Sequence, residues 1–259
     1  MRLELLYNPF LLCERLAQSA ETRRRLRRLR GTVAAGLSAG HIDSLELLDA
    51  LRPLEPTTIY DIGANVGTWT LLAKAIFPTA VIHAFEPLPA QHGLLEQCAR
   101  RVGGITCHQT ALGEGSYAAT MRVASFADAS SLLPLSDTAK AHWRLEEAAQ
   151  QEVSVVALDD YQARQHLPLP SLIKLDVQGF ELSVLKGAET CLAHAHAVLT
   201  EVSFREFYHG QCLFEDVVAF LSQRGFVLCA LAQTTTLGRP LMQADALFVH
   251  RRVLGRIAP

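Results

Sequence analysis

Short apolar runs and amphipathic stretches alternate along the chain from residue 57 onward. The first run, Ile59–Ile62, contains β-branched and aromatic residues and predicts a short buried strand. The next apolar positions fall at i, i+3, i+4 and i+7, namely at Trp69, Leu72, Ala73 and Ile76. This spacing predicts a helix that ends before Pro78.

The same alternation continues further along the chain. Strands are predicted at Val81–Phe85, Ile105–Thr110, Leu172–Leu175, Ala197–Glu201, Phe226–Ala230 and Ala246–His250. Helices are predicted at Ala90–Val102, Phe180–Lys186 and Phe214–Leu221. Two extra strands, Thr120–Val123 and Val153–Val156, flank a polar insert. Strands that alternate with helices are typical of an α/β fold with a mostly parallel sheet.

The first 56 residues do not follow this alternation. We therefore predict a helical N-terminal extension at 1–56 and a main domain at 57–259. Leu3–Leu29 is rich in leucine and arginine and predicts one or two helices, and Leu45–Leu51 predicts another. The cluster Arg23–Arg30 holds six arginines, which could contact an anionic membrane surface, an acidic partner or nucleic acid, or form a solvated helix face.

Composition narrows the class of protein. A chain of 259 residues with 49% hydrophobic residues can bury a substantial core. The net charge of −2 provides no global field that favours nucleic acid. Six cysteines without a C-x-x-C pair argue against a zinc site or a disulfide framework and favour reduced thiols in the cytoplasm. No apolar run reaches about 18 residues, so neither a membrane span nor a signal peptide is expected.

The segment between the first strand and the first helix carries the candidate chemistry. It reads Asp61-Ile62-Gly63-Ala64-Asn65-Val66-Gly67, and its two glycines let the backbone turn sharply and approach a ligand. A dinucleotide fingerprint would have glycine at position 65 and would hold pyrophosphate on bare backbone N–H groups. The acid at Asp61 would repel pyrophosphate but suits an ammonium or sulfonium group, and S-adenosylmethionine carries both.

A second acid follows at the place where a ribose would bind. The strand Val81–Phe85 leads into Glu86, 25 residues after Asp61, where an acid accepts hydrogen bonds from ribose hydroxyls. The alternative is a glycine-containing loop with two incidental surface acids. Because both acids follow predicted strands, we favour a nucleoside-binding corner.

Four motifs of the chain are Asp61–Gly67, Phe85-Glu86-Pro87, Leu158-Asp159-Asp160-Tyr161 and Ile173–Glu181. In this order and spacing they resemble the FkbM family of S-adenosylmethionine-dependent methyltransferases, over residues 57–250. The block Lys-x-Asp-Val-x-Gly-x-Glu at 174–181 makes the resemblance specific. The resemblance implies a Rossmann-like class I methyltransferase with a mostly parallel seven-stranded sheet, whose last two strands form an antiparallel edge.

The resemblance also implies a reaction and a class of partner. FkbM relatives are generally O-methyltransferases that act on hydroxyls of sugars, glycans or polyketide-type natural products. The expected partner is therefore a small-molecule or glycan acceptor and not nucleic acid. The arginine cluster would fit an acceptor on a phosphate- or lipid-linked carrier, or a peripheral membrane contact.

The cofactor site is expected to surround the glycine turn. Asp61 should meet the methionine ammonium, directly or through water, and Glu86 should bind the ribose diol. Thr68 and Thr70 could reach the methionine carboxylate at the helix N-terminus. In the family a Ser-Leu element sits near the active site, which makes Ser131 a candidate, although a serine-rich surface turn is an alternative. The full set of candidates is Asp61, Gly63, Ala64, Asn65, Gly67, Thr68, Thr70, Glu86, Pro87, Ser131 and Asp176.

Three side chains are candidates for catalysis: Asp176, Glu201 and His209. Ligands bind outside the carboxyl ends of parallel strands, where Asp176 and Glu201 are predicted to lie. Asp176 could instead cap the helix that follows. His209 lies in a polar loop, and a histidine is a natural base near neutral pH.

Two further alternatives concern metal and activity. Asp176, Glu181 and Glu201 could converge on Mg²⁺, but no ligand spacing requires it, and we do not favour it. A nicotinamide-dependent oxidoreductase is opposed by Asn65 in place of the middle glycine and by Asp61. A non-catalytic binding protein that keeps the cofactor fold is the remaining alternative.

Overall fold

The computed structural model describes residues 9–232 and 241–257. Its strands, in chain order, are β1 Thr58–Ile62, β2 Val81–Phe85, β3 Ile105–His108, β4 Ala111–Gly113, β5 Tyr117–Ala124, β6 Glu147–Ala157, β7 Leu172–Leu175, β8 Ala197–Ser203, β9 Phe226–Leu231 and β10 Gln243–His250. Seven of these strands form the main sheet, in the order β3-β2-β1-β7-β8-β10-β9. The remaining three form a small sheet, in the order β4-β6-β5.

Helices cover the main sheet and connect its strands. They are α1 Pro9–Arg28, α2 Leu45–Ala50, α3 Thr68–Ile76, α4 Pro89–Val102, α5 Asp137–Trp143, α6 Leu158–Gln165, α7 Glu181–Lys186, α8 Glu189–His194 and α9 Phe214–Gln223. Short 3₁₀ turns lie at Ala39–His41, Arg52–Leu54, Ala127–Ala129 and Arg251–Arg256. In the described part of the chain, no helix is both long and apolar enough to cross a membrane.

The predicted fold class is confirmed. Strands β1, β2, β3, β7 and β8 pair in parallel, while β10 runs antiparallel to both β8 and β9. The seven-stranded sheet is therefore mostly parallel with an antiparallel edge. The carboxyl ends of β1, β2 and β7 lie side by side where the chain order reverses, which is the place where open α/β sheets bind ligands.

The central strand β1 is buried on both faces. Ile59 packs in one hydrophobic cluster, while Tyr60 and Ile62 pack in another, and all three are at most 1% exposed. Neighbouring side chains of a strand point to opposite faces, so a strand covered on both sides reads as a continuous apolar run. This explains why the sequence pattern located β1 so well.

The N-terminal part of the chain shares its core with the sheet. Leu29, Ile42, Leu45 and Leu48 are almost fully buried and belong to the same hydrophobic cluster as Ile59. The predicted helices of this part are present as α1 and α2, although residues 1–8 lie outside the described part. The domain division at residue 56 stays a prediction, and this packing argues that the two parts fold together.

The arginine cluster is divided between two environments. Arg25 contacts Glu46 at 2.6 Å, and Arg28 contacts Asp49, so both arginines attach α1 to α2. Arg24 is 77% exposed and lies 3.7 Å from Glu21. Ion pairs inside the protein thus account for part of the cluster.

The region between β3 and β7 is more regular than the sequence pattern indicated. The predicted extra strands are present as the longer β5 and β6, which pair antiparallel, and the unpredicted β4 pairs in parallel with β6. Helices α5 and α6 in this region, and α8 between β7 and β8, were not predicted as elements. These elements are short, and a few residues provide too little periodicity to be recognised in the sequence.

Candidate active site

A cavity of about 310 Å³ lies at the carboxyl ends of β1, β2, β7 and β8. This volume is typical of a small-molecule site. Eight of the predicted site residues line it: Gly63, Ala64, Asn65, Thr68, Glu86, Pro87, Asp176 and Glu201. Five others do not line it: Asp61, Gly67, Thr70, Ser131 and His209.

Glu86 is held at the cavity wall by the backbone. Its side chain accepts hydrogen bonds from Asn65 N at 3.0 Å and from Leu88 N at 2.9 Å, and the residue is only 5% exposed. Burial raises the pKa of Glu86 to about 7, against the lowering effect of these two bonds. A carboxylate has about four acceptor positions, so two oxygens fixed in this way can still accept from a pair of hydroxyls.

The glycine turn brings two strand ends together. Gly63 has a φ of 79°, and a Cβ at this position would lie 1.9 Å from the Asp176 carbonyl oxygen. Gly67 has a φ of 89°, and a Cβ there would lie 2.9 Å from Leu95 Cδ1. Both glycines are therefore required by the fold, and Gly67 supports the turn from behind the cavity.

Asp61 lies beneath the cavity surface rather than on it. It is fully buried, accepts a hydrogen bond from Thr70 Oγ1 and lies 3.5 Å from Lys174 Nζ. Burial raises the pKa of Asp61, while Lys174 and Thr70 oppose that shift. Oδ1 of Asp61 has no hydrogen-bond partner among the described residues. Both side chains lie below the cavity surface, so a direct contact of Asp61 or Thr70 with a ligand is not supported by this arrangement, while contact of Asp61 through water stays a prediction.

Lys174 belongs to the motif at 174–181, but the sequence predicted no role for it in the site. It is 4% exposed, and its ammonium lies 3.3 Å from Asp176 Oδ2 and 3.5 Å from Asp61 Oδ1. Burial alone would lower the pKa of Lys174, but Asp176 and Asp61 outweigh burial and raise it. The lysine therefore stays charged between two carboxylates. A lysine inside the apolar run Leu172–Leu175 was the available signal.

Gln178 connects the two candidate catalytic acids. Its Nε2 donates to Asp176 Oδ1 at 2.7 Å and to Glu201 Oε2 at 3.2 Å, and its Oε1 accepts from the Tyr208 hydroxyl at 2.8 Å. The backbone carbonyl of Gln178 accepts from Ser131 Oγ at 2.7 Å. Ser131 is thus a buried support for this loop. Gln178 has a φ of 54°, which is uncommon for a residue other than glycine.

The two glutamates near Asp176 differ in position. Glu201 lines the cavity, and burial, Asp176 and Glu181 raise its pKa well above the ordinary value, so it holds a proton readily. Glu181 is 3% exposed and accepts from Val177 N and Gly179 N, which fixes the loop before α7. Among the described residues, no three or more His, Cys, Asp or Glu side chains are grouped to hold a metal ion.

The structure does not bring His209 to the cavity. Its side chain is 58% exposed and lies 3.9 Å from Glu206, and its backbone N–H donates to Pro134 O. A polar loop position did not distinguish a side chain that faces the cavity from one that faces solvent. The geometry therefore gives His209 no support as the base.

The motif Leu158–Tyr161 has a structural role. Asp159 accepts from Thr190 N and Cys191 N at the start of α8. The Tyr161 hydroxyl lies 3.1 Å from His108 Nδ1, and His108 Nε2 lies 3.0 Å from a nitrogen of His83. Burial lowers the pKa of His108 to about 4, so this histidine is neutral.

The N-terminal part contributes a wall that the sequence did not predict. Gly40, His41, Asp43 and Ser44 line the cavity opposite the strand ends. Ser44 Oγ donates to Asp245 Oδ2 in β10, and the two residues are 201 positions apart. No local pattern reports a contact over such a separation.

A family model described as the methyltransferase FkbM domain matches residues 61–228. The chain is 28% identical over 222 residues to 31-O-demethyl-FK506 methyltransferase FkbM of Streptomyces tacrolimicus. This alignment covers 76% of this chain and 82% of that protein. It is 26% identical over 169 residues to hexuronic acid methyltransferase AglP of Haloferax volcanii, in an alignment that covers 65% of this chain and 63% of that protein. It is 28% identical over 144 residues to Methyltransferase 1 of Beauveria bassiana, in an alignment that covers 51% of this chain and 58% of that protein. The chain thus spans less than two thirds of two of these relatives.

Proposed function

The chain belongs to the FkbM methyltransferase family, and we propose that it methylates a hydroxyl group of a sugar, glycan or hydroxylated natural product. Membership makes the reaction a methyl transfer from S-adenosylmethionine. Oxygen as the methylated atom is supported more loosely, by relatives named for 31-O-demethyl-FK506 and for a hexuronic acid. The acceptor and a cytoplasmic location remain predictions.

The single observation that carries the proposal is the fixed carboxylate of Glu86 beside the glycine turn. Its two backbone hydrogen bonds orient it toward the cavity, where it would accept from the ribose hydroxyls of the cofactor. Apolar side chains line the same part of the cavity and would cover the adenine: Phe85, Leu88, Leu112, Met121 and Leu132. The residues present thus fit an adenosine.

The other end of the cavity fits a methyl acceptor. When bound, S-adenosylmethionine supplies an activated methyl group on a sulfonium, and the protein has to align the acceptor, exclude water and take one proton. Asp176 lies 3.3 Å from the Lys174 ammonium and lines the cavity, so we assign it the role of base for the acceptor hydroxyl. Glu201 also lines the cavity, and burial and Asp176 raise its pKa, so in its protonated form it would donate a hydrogen bond to another acceptor oxygen.

Cofactor binding comes first in the test. Calorimetric titration with S-adenosylhomocysteine should show binding at one site, whereas NAD⁺ should not bind. Failure of S-adenosylhomocysteine to bind would contradict the cofactor assignment.

Methyl transfer is the second stage. The protein is incubated with isotope-labelled S-adenosylmethionine and a panel of sugars, glycans and hydroxylated metabolites, and each product is located by mass spectrometry and NMR. Label on an oxygen supports the proposal, while label on nitrogen or carbon only would contradict O-methylation. Binding without transfer to any member would favour the non-catalytic alternative.

A further inference from the structure

We propose that the acceptor end of the cavity selects a methyl acceptor that carries no negative charge beside the reacting hydroxyl, a selection that rests on the proposed function. The substrate class is thus a neutral or amine-bearing polyol rather than a uronic acid or a phosphate ester. Asp43 and Asp245 are the residues that we assign to this selection.

The acceptor end is well separated from Glu86. Glu86 follows β2, whereas Asp245 lies in β10, four places further along the sheet. At about 4.8 Å per strand, this separation is roughly 19 Å. The wall at this end is the segment 40–44, held by Ser44 on Asp245 and by Arg25, which donates to the carbonyl oxygens of Ile42 and Asp43.

The charges at this end are unbalanced. Four carboxyl groups line it: Asp43, Asp176, Glu201 and Asp245. In the described part of the chain, Lys174 is the one lysine or arginine among the lining residues. Its ammonium is already in contact with Asp176 and Asp61. Arg25 lies 4.0 Å from Asp43, but it does not line the cavity and it also contacts Glu46. An anionic group on the acceptor would therefore meet this wall of carboxyl groups, while the lysine and the arginine beside it are already paired.

Glu201 and Asp245 concentrate this effect. They are directly opposite each other in the pairing of β8 with β10, and each is close enough to Asp176 for that carboxylate to raise its pKa. Because these carboxyl groups lie together, an anion placed among them would be repelled by the ionised members and would make the others still harder to ionise. A hydroxyl both donates and accepts, so a polyol can pair with an ionised acid, with a protonated acid and with the Gln178 amide.

The experiment uses matched pairs of acceptors that differ only in charge. Methyl glucoside is compared with methyl glucuronide, and methyl galactoside with methyl galacturonide, with the corresponding amino sugar glycosides as a third member. Binding to the protein loaded with S-adenosylhomocysteine is measured by calorimetry, and kcat/KM is measured where turnover occurs. We expect at least tenfold stronger binding of the neutral or amino member in each pair.

A charge-removing variant tests the assignment. Asp43 lines the cavity and its side chain is 54% exposed, so Asp43→Asn should leave the fold intact. The ratio of binding of the neutral acceptor to binding of its uronide should fall by at least threefold in this variant. Glu96→Gln removes the same charge from α4, outside the cavity lining, and should leave the preference unchanged. An unchanged preference in Asp43→Asn would overturn the role of Asp43.

The acceptor comparison also distinguishes this proposal from the proposed function. Equal or stronger binding of the uronides would overturn the proposal, and so would the absence of binding by all members at millimolar concentration. Binding that follows the predicted order without transfer to oxygen would leave this selection supported and contradict the proposed O-methylation instead. The two proposals can therefore fail separately.

Discussion

Gly63 approaches Asp176 so closely that a Cβ at position 63 would stand 1.9 Å from the Asp176 carbonyl oxygen. The contact fixes the end of β1 against the end of β7, and so it fixes the cofactor turn against the proposed catalytic acid. The arrangement needs both the missing side chain and the φ of 79° at Gly63.

Gly63→Ala should therefore damage stability and cofactor binding together. The strained backbone alone costs on the order of 1–3 kcal/mol, and the clash with backbone adds to it. Urea unfolding and S-adenosylhomocysteine titration measure the two effects. Gly93→Ala is the control, because position 93 lies in α4 with nothing within 4 Å, and this change should stabilise the protein slightly. Wild-type behaviour of Gly63→Ala would contradict the described turn.

Glu86→Ala should weaken S-adenosylhomocysteine binding more than tenfold. Each lost hydrogen bond to a charged group is worth about 1.5–3 kcal/mol. Because the pKa of Glu86 is about 7, the carboxylate form is gained as pH rises through that value. Wild-type affinity should then rise between about pH 6 and 8, and Glu86→Gln should lack this rise. A flat wild-type profile, or unchanged affinity in Glu86→Ala, would remove Glu86 from the ribose site.

Lys174→Met should destabilise the protein strongly. Removing one partner of a buried ion pair costs about 3–5 kcal/mol, because Asp61 and Asp176 would lose their shared cation. The double variant with Asp61→Asn should regain part of this stability, since the second buried charge is removed as well. Lys186→Met is a matched control, because Lys186 is 50% exposed and 3.7 Å from Glu114. Urea unfolding that shows equal losses for Lys174→Met and Lys186→Met would argue against the central role of Lys174.

Gln178→Asn should lower kcat while S-adenosylhomocysteine affinity changes little. Asparagine tolerates a positive φ and keeps the amide, but it is one methylene shorter and cannot reach both Asp176 and Glu201. The pH–rate profile should shift, because this bridge holds the carboxyl group of Glu201, whose pKa is raised by burial and by Asp176. Tyr208→Phe, which removes the donor to Gln178 Oε1, should shift the profile in the same direction by a smaller amount. A lower kcat with an unmoved profile would indicate a general structural effect only.

Asp176→Asn should reduce turnover by about 10²–10⁴-fold, the usual effect of losing a catalytic base. Cofactor affinity should change much less, since the amide keeps the shape of the side chain. Turnover of the wild-type protein should survive EDTA if the side chain acts without metal. Loss of turnover in EDTA that added Mg²⁺ restores would favour the metal alternative, and near-wild-type turnover of Asp176→Asn would exclude Asp176 as the base.

The sequence was most informative where one short stretch determines both structure and chemistry. Ile59–Ile62 is buried on both faces, so its apolar pattern located β1, and the glycines after it located the turn. Glu86 followed from the same logic, since a strand end fixes where its next side chain lies. At these residues, the local sequence pattern was enough to predict the position in the fold.

Sequence reasoning failed where a role depends on distant partners. Lys174 became important because Asp61, on another strand, lies 3.5 Å away. Ser44 lines the cavity because it meets Asp245. His209 had suitable chemistry, but its loop turns the side chain toward solvent. These outcomes are set by tertiary packing, which residue type and spacing alone do not encode.

The bond between Ser44 and Asp245 also has a kinetic consequence. The two residues are 201 positions apart, and closing so long a loop carries a large entropic cost that only other native contacts can offset. We expect such a contact to form after the local strand–turn–helix units, because the entropy of loop closure is lost before a non-local contact compensates for it. We therefore expect a refolding chain to bind the nucleoside before it can bind the acceptor, so that the two binding activities appear at different times.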